Sequence, residues 1–149
     1  MSEKELLVRK IENGTVIDHV PANLGLKVAS LLNLDKSNST SVILMNVPSK
    51  KLGRKDVVKV ENRELTEKEV SRIALIAPNA TLNIIRNWEV VEKRKISLPE
   101  VLEGVVKCPN KNCITNYEEV ETKFLLEEKE PLKLRCYFCE RIFTREDFA

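Results

Sequence analysis

The order of hydrophobic and polar positions in the first two thirds of the chain predicts alternating strands and helices. Residues 5–12 are extended and rich in β-favouring side chains, and Asn13-Gly14 is a turn signal before a second extended segment at 15–20. From Leu24 onward, apolar residues recur at i, i+4, i+7 and i+8. This spacing predicts a helix with one buried face that ends near residue 33.

The same order of hydrophobic and polar positions predicts two central strands and a second helix. Residues 41–46 form a short apolar strand that stops at Val47-Pro48-Ser49, and a basic connection over 50–55 leads to another strand at 56–61. Thr66 and Glu69 have the spacing of a capping box, which predicts a helix start. The buried face of that helix comprises Val70, Ile73, Ala74 and Ala77, and Pro78 ends it.

Two further strands, at 81–86 and 88–91, complete this part of the chain. The order is β-α-β-β-α-β with an additional terminal strand. It predicts a split βαβ, ferredoxin-like sandwich with two helices on one face of a sheet.

Residues 97–149 have a different pattern. Ser97-Leu-Pro-Glu100 predicts a short connecting helix to about residue 104, and strands near 120–127 and 132–136 predict a small antiparallel β-domain. We therefore predict an α+β protein with two domains, residues 1–99 and 100–149.

Composition is typical of a globular protein, with 42% hydrophobic and 32% charged residues among 149. Residues 1–20 lack the apolar core of a signal peptide, and no apolar run approaches the roughly 20 residues that span a membrane. We expect a cytoplasmic protein that does not bind membranes.

The net charge of +2 conceals an asymmetry between the two predicted domains. Residues 1–99 carry 17 Lys and Arg against 12 Asp and Glu, whereas residues 100–149 carry 8 against 11. An anionic ligand is therefore expected in the first domain. The acidic second domain is a poor candidate for a nucleic-acid-binding surface.

All four cysteines lie in the second domain, at Cys108, Cys113, Cys136 and Cys139. A Cys-x4-Cys turn and a Cys-x2-Cys turn brought together by a hairpin make the tetrahedral cage of thiolates that zinc prefers. The alternatives are two disulfides or four ordinary buried thiols, and the expected cytoplasmic location favours zinc. With four thiolates and no open position, the predicted Zn²⁺ is structural, at one ion per chain.

Two other functions fit parts of the pattern. A zinc-ribbon nucleic-acid-binding protein would need a basic face near the cysteines, but glutamates crowd the intervening hairpin. A small enzyme would need a nucleophile with its base, a Gly-rich phosphate loop or an open metal ligand, and the sequence offers none of them.

The pair Asp18-His19 is, on its own, more typical of a structural hydrogen bond than of a ligand contact.

Several segments, taken in order, resemble the regulatory chain of aspartate carbamoyltransferase, and the match covers nearly the whole chain. They are Gly14-Thr-Val-Ile-Asp-His19 with Pro21-Ala22, Gly53-Arg-Lys-Asp56, Lys59 with Glu61-Asn62, Ala77-Pro78 with Ala80-Thr81, Ser97-Leu-Pro-Glu100 and Cys108-Pro-Asn-Lys-Asn-Cys113.

The resemblance implies a non-catalytic, allosteric subunit of an enzyme of pyrimidine biosynthesis. In that family, homodimers of the regulatory chain tie catalytic trimers together. The N-terminal domain binds nucleotide triphosphates such as CTP and ATP, with UTP as a third candidate, and the zinc domain docks on the catalytic chain. No nucleic-acid partner is implied.

The resemblance also implies site residues. The nucleotide-binding set is Val8, Arg9, Lys10, Ile11, Asp18, His19, Lys55, Lys59, Asn83, Ile85, Val90 and Lys93. Asp18 would bind ribose hydroxyls, His19 and Lys93 the phosphates, and Lys59 the ribose and base. The set implied to contact the catalytic chain is Asn110, Asn112 and Glu140, although the two asparagines could equally satisfy hydrogen bonds of the turn and the thiolates.

Overall fold

A computed structural model describes residues 10–148 of the chain. The first predicted strand, residues 5–12, lies mostly outside the described residues, and 10–13 form no helix or strand. The chain divides into two compact units, one of residues up to Leu65 with Ala80–Lys95 and one of Thr66–Asn79 with the residues from Ile96 onward. No helix in the described part of the chain is long and apolar enough to cross a membrane.

The first unit contains one five-stranded antiparallel sheet and one α-helix. Its elements are β1 (Gly14–Pro21), α1 (Gly25–Leu31), a 3₁₀ turn (Leu34–Lys36), β2 (Ser41–Ser49), β3 (Gly53–Glu61), β4 (Thr81–Arg86) and β5 (Glu89–Lys95). The strand order is β2-β3-β1-β4-β5, so β1 is central and β2 and β5 are the edges. The α+β class is confirmed, and from β1 to β5 the strands follow one another along the chain as the pattern predicts.

Alternation along the central strands separates two faces of this sheet. Ile17 of β1 pairs with Val58 of β3 and Leu82 of β4, and all three side chains are buried. Lys59 and Asn83, one position further along their strands, are only half-buried on the other face. Alternation along β3 and β4 therefore places Lys59 and Asn83 together on the face opposite to these three buried side chains.

A buried carboxylate fixes the start of α1. Asp56 of β3 is fully buried, and its two oxygens accept hydrogen bonds from the backbone N–H of Gly25 at 2.8 Å and of Asn46 at 2.9 Å. A Cβ atom on Gly25 would lie 2.8 Å from Asp56 Oδ2, so the helix can approach the carboxylate only with glycine there. Asp56 thus ties α1 to the irregular position of β2, where Asn46 has a φ of +57°.

The second unit is a four-stranded antiparallel sheet with two helices. Its elements are α2 (Glu67–Ile76), β6 (Val101–Glu103), a 3₁₀ turn (Ile114–Asn116), β7 (Lys123–Glu128), β8 (Lys133–Cys136), β9 (Ile142–Phe143) and α3 (Arg145–Phe148). The sheet order is β6-β7-β8-β9. Its core contains Leu102, Phe124, Leu134 and Phe143 together with three of the cysteines, Cys108, Cys113 and Cys136.

Helix α2 begins at the predicted capping box. The Thr66 hydroxyl accepts from the Glu69 N–H at 3.2 Å, and a Glu69 carboxylate oxygen accepts from the Thr66 N–H at 3.0 Å. Leu75 belongs to the core of this unit, and the Arg145 guanidinium donates to the carbonyls of Ala74 and Leu75. The last turn of the helix is therefore capped by a cation, as its dipole favours.

The predicted connecting helix over 97–104 is wrong. Residues 97–100 are irregular, and Val101–Glu103 form β6, paired with the Lys123–Leu125 part of β7. The Leu102 side chain is fully buried by this pairing, so tertiary contacts override the local helix signal.

Three strand ends also differ from their predicted positions. Strand β2 continues through Pro48 to Ser49, because Pro48 lies on an edge strand after an irregularity between Leu44 and Val47. β3 starts at Gly53, and β5 runs over Glu89–Lys95 instead of 88–91. The basic residues expected in connections therefore lie largely within paired strands.

Replacement of Asp56 by alanine should lower the free energy of unfolding by about 2–5 kcal/mol, because the buried N–H of Gly25 and the part-buried N–H of Asn46 lose their acceptor. Denaturant titration followed by circular dichroism measures this. Asp35→Ala, at an exposed position of the 3₁₀ turn, is the matched control and should change stability by less than about 0.5 kcal/mol. Equal effects of the two substitutions would contradict the role assigned to Asp56.

Candidate anion-binding face and metal centre

The four cysteine sulfurs form one compact cluster, with all Sγ atoms within 4.8 Å of one another. Cys108 Sγ lies 3.8 Å from Cys139 Sγ, and Cys113 Sγ lies 3.8 Å from Cys136 Sγ. A tetrahedral zinc–thiolate site with bonds of about 2.3 Å has edges of about 3.8 Å, whereas a disulfide needs about 2.05 Å. The four cysteines are free, and their spacing fits a tetrahedral metal ion.

The surroundings of the sulfurs also suit a bound cation. Burial raises the pKa of the Cys108 and Cys136 thiols, so their thiolates are disfavoured without a compensating positive charge. At Cys139 burial is outweighed by hydrogen bonds from Asn110 and the Arg141 N–H, which lower its pKa to about 7. The Thr115 hydroxyl donates to Cys113 Sγ at 3.2 Å, and the Asn110 side chain hydrogen-bonds Cys139. Such bonds orient metal ligands and disperse their charge.

The three residues implied to contact a partner occupy different positions around this centre. Asn110 is half-buried, with its side chain on Cys139 and its Oδ1 accepting the Asn112 N–H at 3.0 Å, so it serves the turn and the thiolate. Asn112 and Glu140 are exposed. Glu140 has a φ of +62°, and its N–H donates to the Cys136 carbonyl at 2.9 Å.

Several of the residues implied for nucleotide binding line one face of the five-stranded sheet. In the register across the sheet, Lys59 pairs with Val16, Val16 with Asn83, and Asn83 with Lys93. Ile85, two residues after Asn83, lies on the same face and pairs with Val90. We call this surface the Lys59 face.

A bulge in β5 is needed to bring Val90 and Lys93 to one side. Residues three apart point to opposite faces of a regular strand. The register between β4 and β5 shifts between Ile84 and Ile85, which leaves Val91 as the extra residue. Val90 and Lys93 can therefore both lie on the Lys59 face.

A second bulge, in β1, shapes the end of the face. Ile17 pairs with Val58 but Val20 pairs with Asp56, so β1 has one more residue than β3 over this stretch. His19 has a φ of +57°, and its N–H donates to Asp18 Oδ1 at 2.7 Å. Because of this bulge, the Val20 side chain is buried in the core while Asp18 lies on the Lys59 face.

Asp18 and His19 have defined partners at this end. Lys55 Nζ lies 2.8 Å from Asp18 Oδ1, and both side chains are half-buried. His19 Nδ1 shares a hydrogen bond of 3.1 Å with the hydroxyl of Thr81, the β4 residue that pairs with Asp18. No ligand-binding motif in the sequence marks Thr81, although its position two residues before Asn83 places it on the same face.

Nearby lysines affect the pKa values of both Asp18 and His19. Burial raises the pKa of Asp18, but the hydrogen bonds from Lys55 and the His19 N–H outweigh it, so the pKa is lowered overall. Burial lowers the pKa of His19; the Asp18 carboxylate opposes this, and the charges of Lys55, Lys51 and Lys93 add to the lowering. Asp18 is therefore ionised and His19 neutral at pH 7, and Lys51 emerges as a basic neighbour that the sequence analysis did not single out.

The remaining residues of the implied set differ in position. Ile11 is buried and Lys10 exposed, while Val8 and Arg9 lie outside the described residues. The apolar groove of about 380 Å³ that includes Leu26 and Ile43 is a separate feature. Ile43 pairs with Val58, which places that groove away from the Lys59 face.

The fold and the two sites define the class of protein. The four clustered cysteine sulfurs provide the donor set of a tetrahedral metal site and leave no coordination position for a substrate. The Lys59 face presents cations and hydrogen-bonding groups on a rigid sheet. These features define a protein that combines a metal-binding cysteine cluster with a cation-lined sheet face.

Comparisons with known proteins identify the family. Residues 6–97 match the family model of the aspartate carbamoyltransferase regulatory chain, allosteric domain, and residues 100–149 match that of its metal binding domain. The chain is 62% identical over 145 residues to the aspartate carbamoyltransferase regulatory chain of Pyrococcus horikoshii, covering 96% of this chain and 95% of the relative. The corresponding chain of Methanocaldococcus jannaschii is 52% identical over 145 residues, with 97% of each chain covered.

The chain belongs to the family of aspartate carbamoyltransferase regulatory chains. Members of this family are non-catalytic subunits, so the chain is not itself an enzyme, and a catalytic chain is its implied partner. Its C-terminal part is a metal-binding domain.

His19 is the only histidine in the chain, so one imidazole signal reports its titration. In the free chain its pKa should lie below 6.5, and Asp18→Asn should lower it further, because the carboxylate favours the imidazolium. Proton NMR across pH 4–9 measures both values. Asp35→Asn is the control and should leave the pKa unchanged, while a rise after Asp18→Asn would contradict the described geometry.

Proposed function

We propose that the Lys59 face binds nucleoside triphosphates, CTP and ATP with UTP as a third candidate, and that their binding modulates the catalytic chains in pyrimidine biosynthesis. The observation that carries this proposal is the alignment of Lys59, Asn83 and Lys93 across three strands of one sheet face. Phosphates need cations, ribose hydroxyls need an acceptor and a base edge needs polar groups. All three kinds of group lie on this face.

The role of each residue in nucleotide binding is assigned from its charge and its position on the Lys59 face. Asp18 is ionised and accepts hydrogen bonds from the ribose hydroxyls, while neutral His19 and Lys93 contact the phosphates. Lys59 contacts the ribose and base, and Ile85 with Val90 supplies apolar contact area beside them. Lys55, held by Asp18, adds positive charge between the hydroxyl and phosphate subsites.

Regulation requires that the effector bind two states of the assembly with different affinities. The chain itself supplies no catalytic group, so its effect on turnover acts through the catalytic chain. We propose residues 1–99 as the effector-binding domain and residues 100–149 as the domain that docks on the catalytic chain. Regulatory chains pair as homodimers in the assembly, in the cytoplasm and without a nucleic-acid partner.

The metal in the second domain is proposed to be one structural Zn²⁺ per chain. The 3.8 Å sulfur separations and the four-thiolate donor set support zinc. The exposed Asn112 and Glu140 flank the centre, and Tyr137 and Phe138, between the last two cysteines, are also exposed and pack edge-to-face. A metal-held turn that presents polar and aromatic groups is suited to docking on the catalytic chain.

Nucleotide binding is tested by Lys59→Ala and Lys93→Ala in the assembled complex. Each loses a charge-assisted contact worth about 1.5–3 kcal/mol, so CTP affinity should fall roughly ten- to a hundredfold in calorimetric titration. Catalytic activity without effector should be unchanged. Lys27→Ala, on the exposed side of α1, is the control, and unchanged affinity in both lysine variants would rule out this site.

Zinc is tested by metal analysis and by Cys113→Ser and Cys139→Ser. We expect one zinc per chain, and either substitution should unfold the metal-binding domain while the first unit keeps its sheet. Chelation should release the chain from its catalytic partner. Lys111→Ala, an exposed substitution between the first two cysteines, should leave metal content unchanged. A complex that stays intact with zinc-free chains would contradict the docking role.

A further inference from the structure

The turn between β2 and β3 carries charges that the proposed site does not use. Lys50, Lys51 and Leu52 form a three-residue turn closed by the pairing of Ser49 with Gly53, and all three are exposed. The Leu52 N–H donates to the Ser49 hydroxyl at 3.2 Å, and Gly53 has a φ of +75°, which favours glycine there. The turn therefore has a defined conformation from which its lysines project.

The position of this turn follows from the strand register. Lys59, Lys55 and the turn succeed one another along β3, with about 13 Å between Lys59 and Lys55 at strand spacing. Lys55 pairs with Pro21, two residues after His19. The turn therefore extends beyond the end of the Lys59 face at which Asp18 and His19 lie.

The positive charge of Lys51 acts on His19. Burial lowers the pKa of His19, and the charges of Lys55, Lys51 and Lys93 lower it further. Lys55 is engaged by Asp18 at 2.8 Å, whereas Lys51 and Lys93 form no salt bridge within residues 10–148. Lys51 and Lys93 are thus the two cations near His19 that a phosphate chain can engage without displacing a carboxylate.

We propose that Lys51 contacts the terminal phosphate of the bound nucleotide, so that the β2–β3 turn selects triphosphates over shorter phosphate chains. This inference rests on the proposed nucleotide site. The ribose subsite at Asp18 fixes the inner end of the phosphate chain, and His19 and Lys93 hold its middle. Lys51, beyond the end of the sheet, is placed for the outermost phosphate, the group that a monophosphate lacks.

The test compares Lys51→Gln with Lys50→Gln, a matched control that removes the same charge from the same exposed turn. CTP and CMP are titrated by calorimetry into the full, zinc-loaded chain at fixed ionic strength. Lys51→Gln should weaken CTP about three- to tenfold and CMP less than about twofold, whereas Lys50→Gln should change both by less than about twofold. Because both side chains are exposed, neither substitution should affect folding.

A second readout is independent of nucleotide. In the free chain, Lys51→Gln should raise the pKa of the single histidine more than Lys50→Gln does, because a nearby positive charge is removed. Equal weakening of CTP and CMP, equal effects of the two substitutions, or an unmoved histidine would each overturn the assignment of Lys51. A wild-type chain that binds neither nucleotide would instead refute the proposed function, and this inference with it.

Discussion

The bulge of β1 at Asp18 and His19 is the constraint on which the proposed effector site depends. β1 is the central strand and is paired on both sides. Its side chains must therefore fill the core on one side of the sheet and contribute to the Lys59 face on the other. In a regular strand Asp18 and Val20 would share a face, and either the valine would leave the core or the carboxylate would enter it. One extra residue lets Val20 be fully buried while Asp18 meets Lys55 at 2.8 Å. The positive φ of His19 is a locally unfavourable backbone conformation that the bulge requires. The hydrogen bond between His19 and Thr81 helps to stabilise it.

The metal centre has a comparable role in the second unit. Cys108, Cys113 and Cys136 belong to the same buried cluster as Phe124 and Leu134, so the metal site is part of the hydrophobic core. In a unit of about seventy residues, the apolar area buried on folding offsets the conformational entropy by only a small margin. Metal coordination and side-chain packing therefore stabilise the same residues, and neither is expected to persist without the other.

The sequence predicts those features that local chemistry determines. The capping box of α2 and the four cysteines follow from spacing alone, and the strands of the first unit follow from alternation. The helix predicted over 97–104 fails because Leu102 gains more from pairing with β7 than from local helix propensity. Both bulges were also beyond prediction, since a period of two cannot place Val90 and Lys93 on one face. Asn110 has two possible roles in the sequence, and its hydrogen bond to Cys139, which joins residues 29 positions apart, is a tertiary contact that spacing alone does not reveal.

The ion pair between Asp18 and Lys55 gives the proposed site a selectivity that cations alone would lack. A face of lysines attracts any polyanion, and a carboxylate among them reduces that attraction. The lowered pKa of Asp18 keeps this carboxylate ionised at neutral pH, so it is always a strong acceptor for hydroxyl groups. In the proposed site a nucleotide offers ribose hydroxyls to Asp18 and phosphates to the lysines. Inorganic polyphosphate is attracted by the same lysines, but it has no hydroxyl for Asp18 and is repelled by that carboxylate. In the proposed site, Asp18 thus lowers the affinity for anions in general while favouring those that carry a sugar.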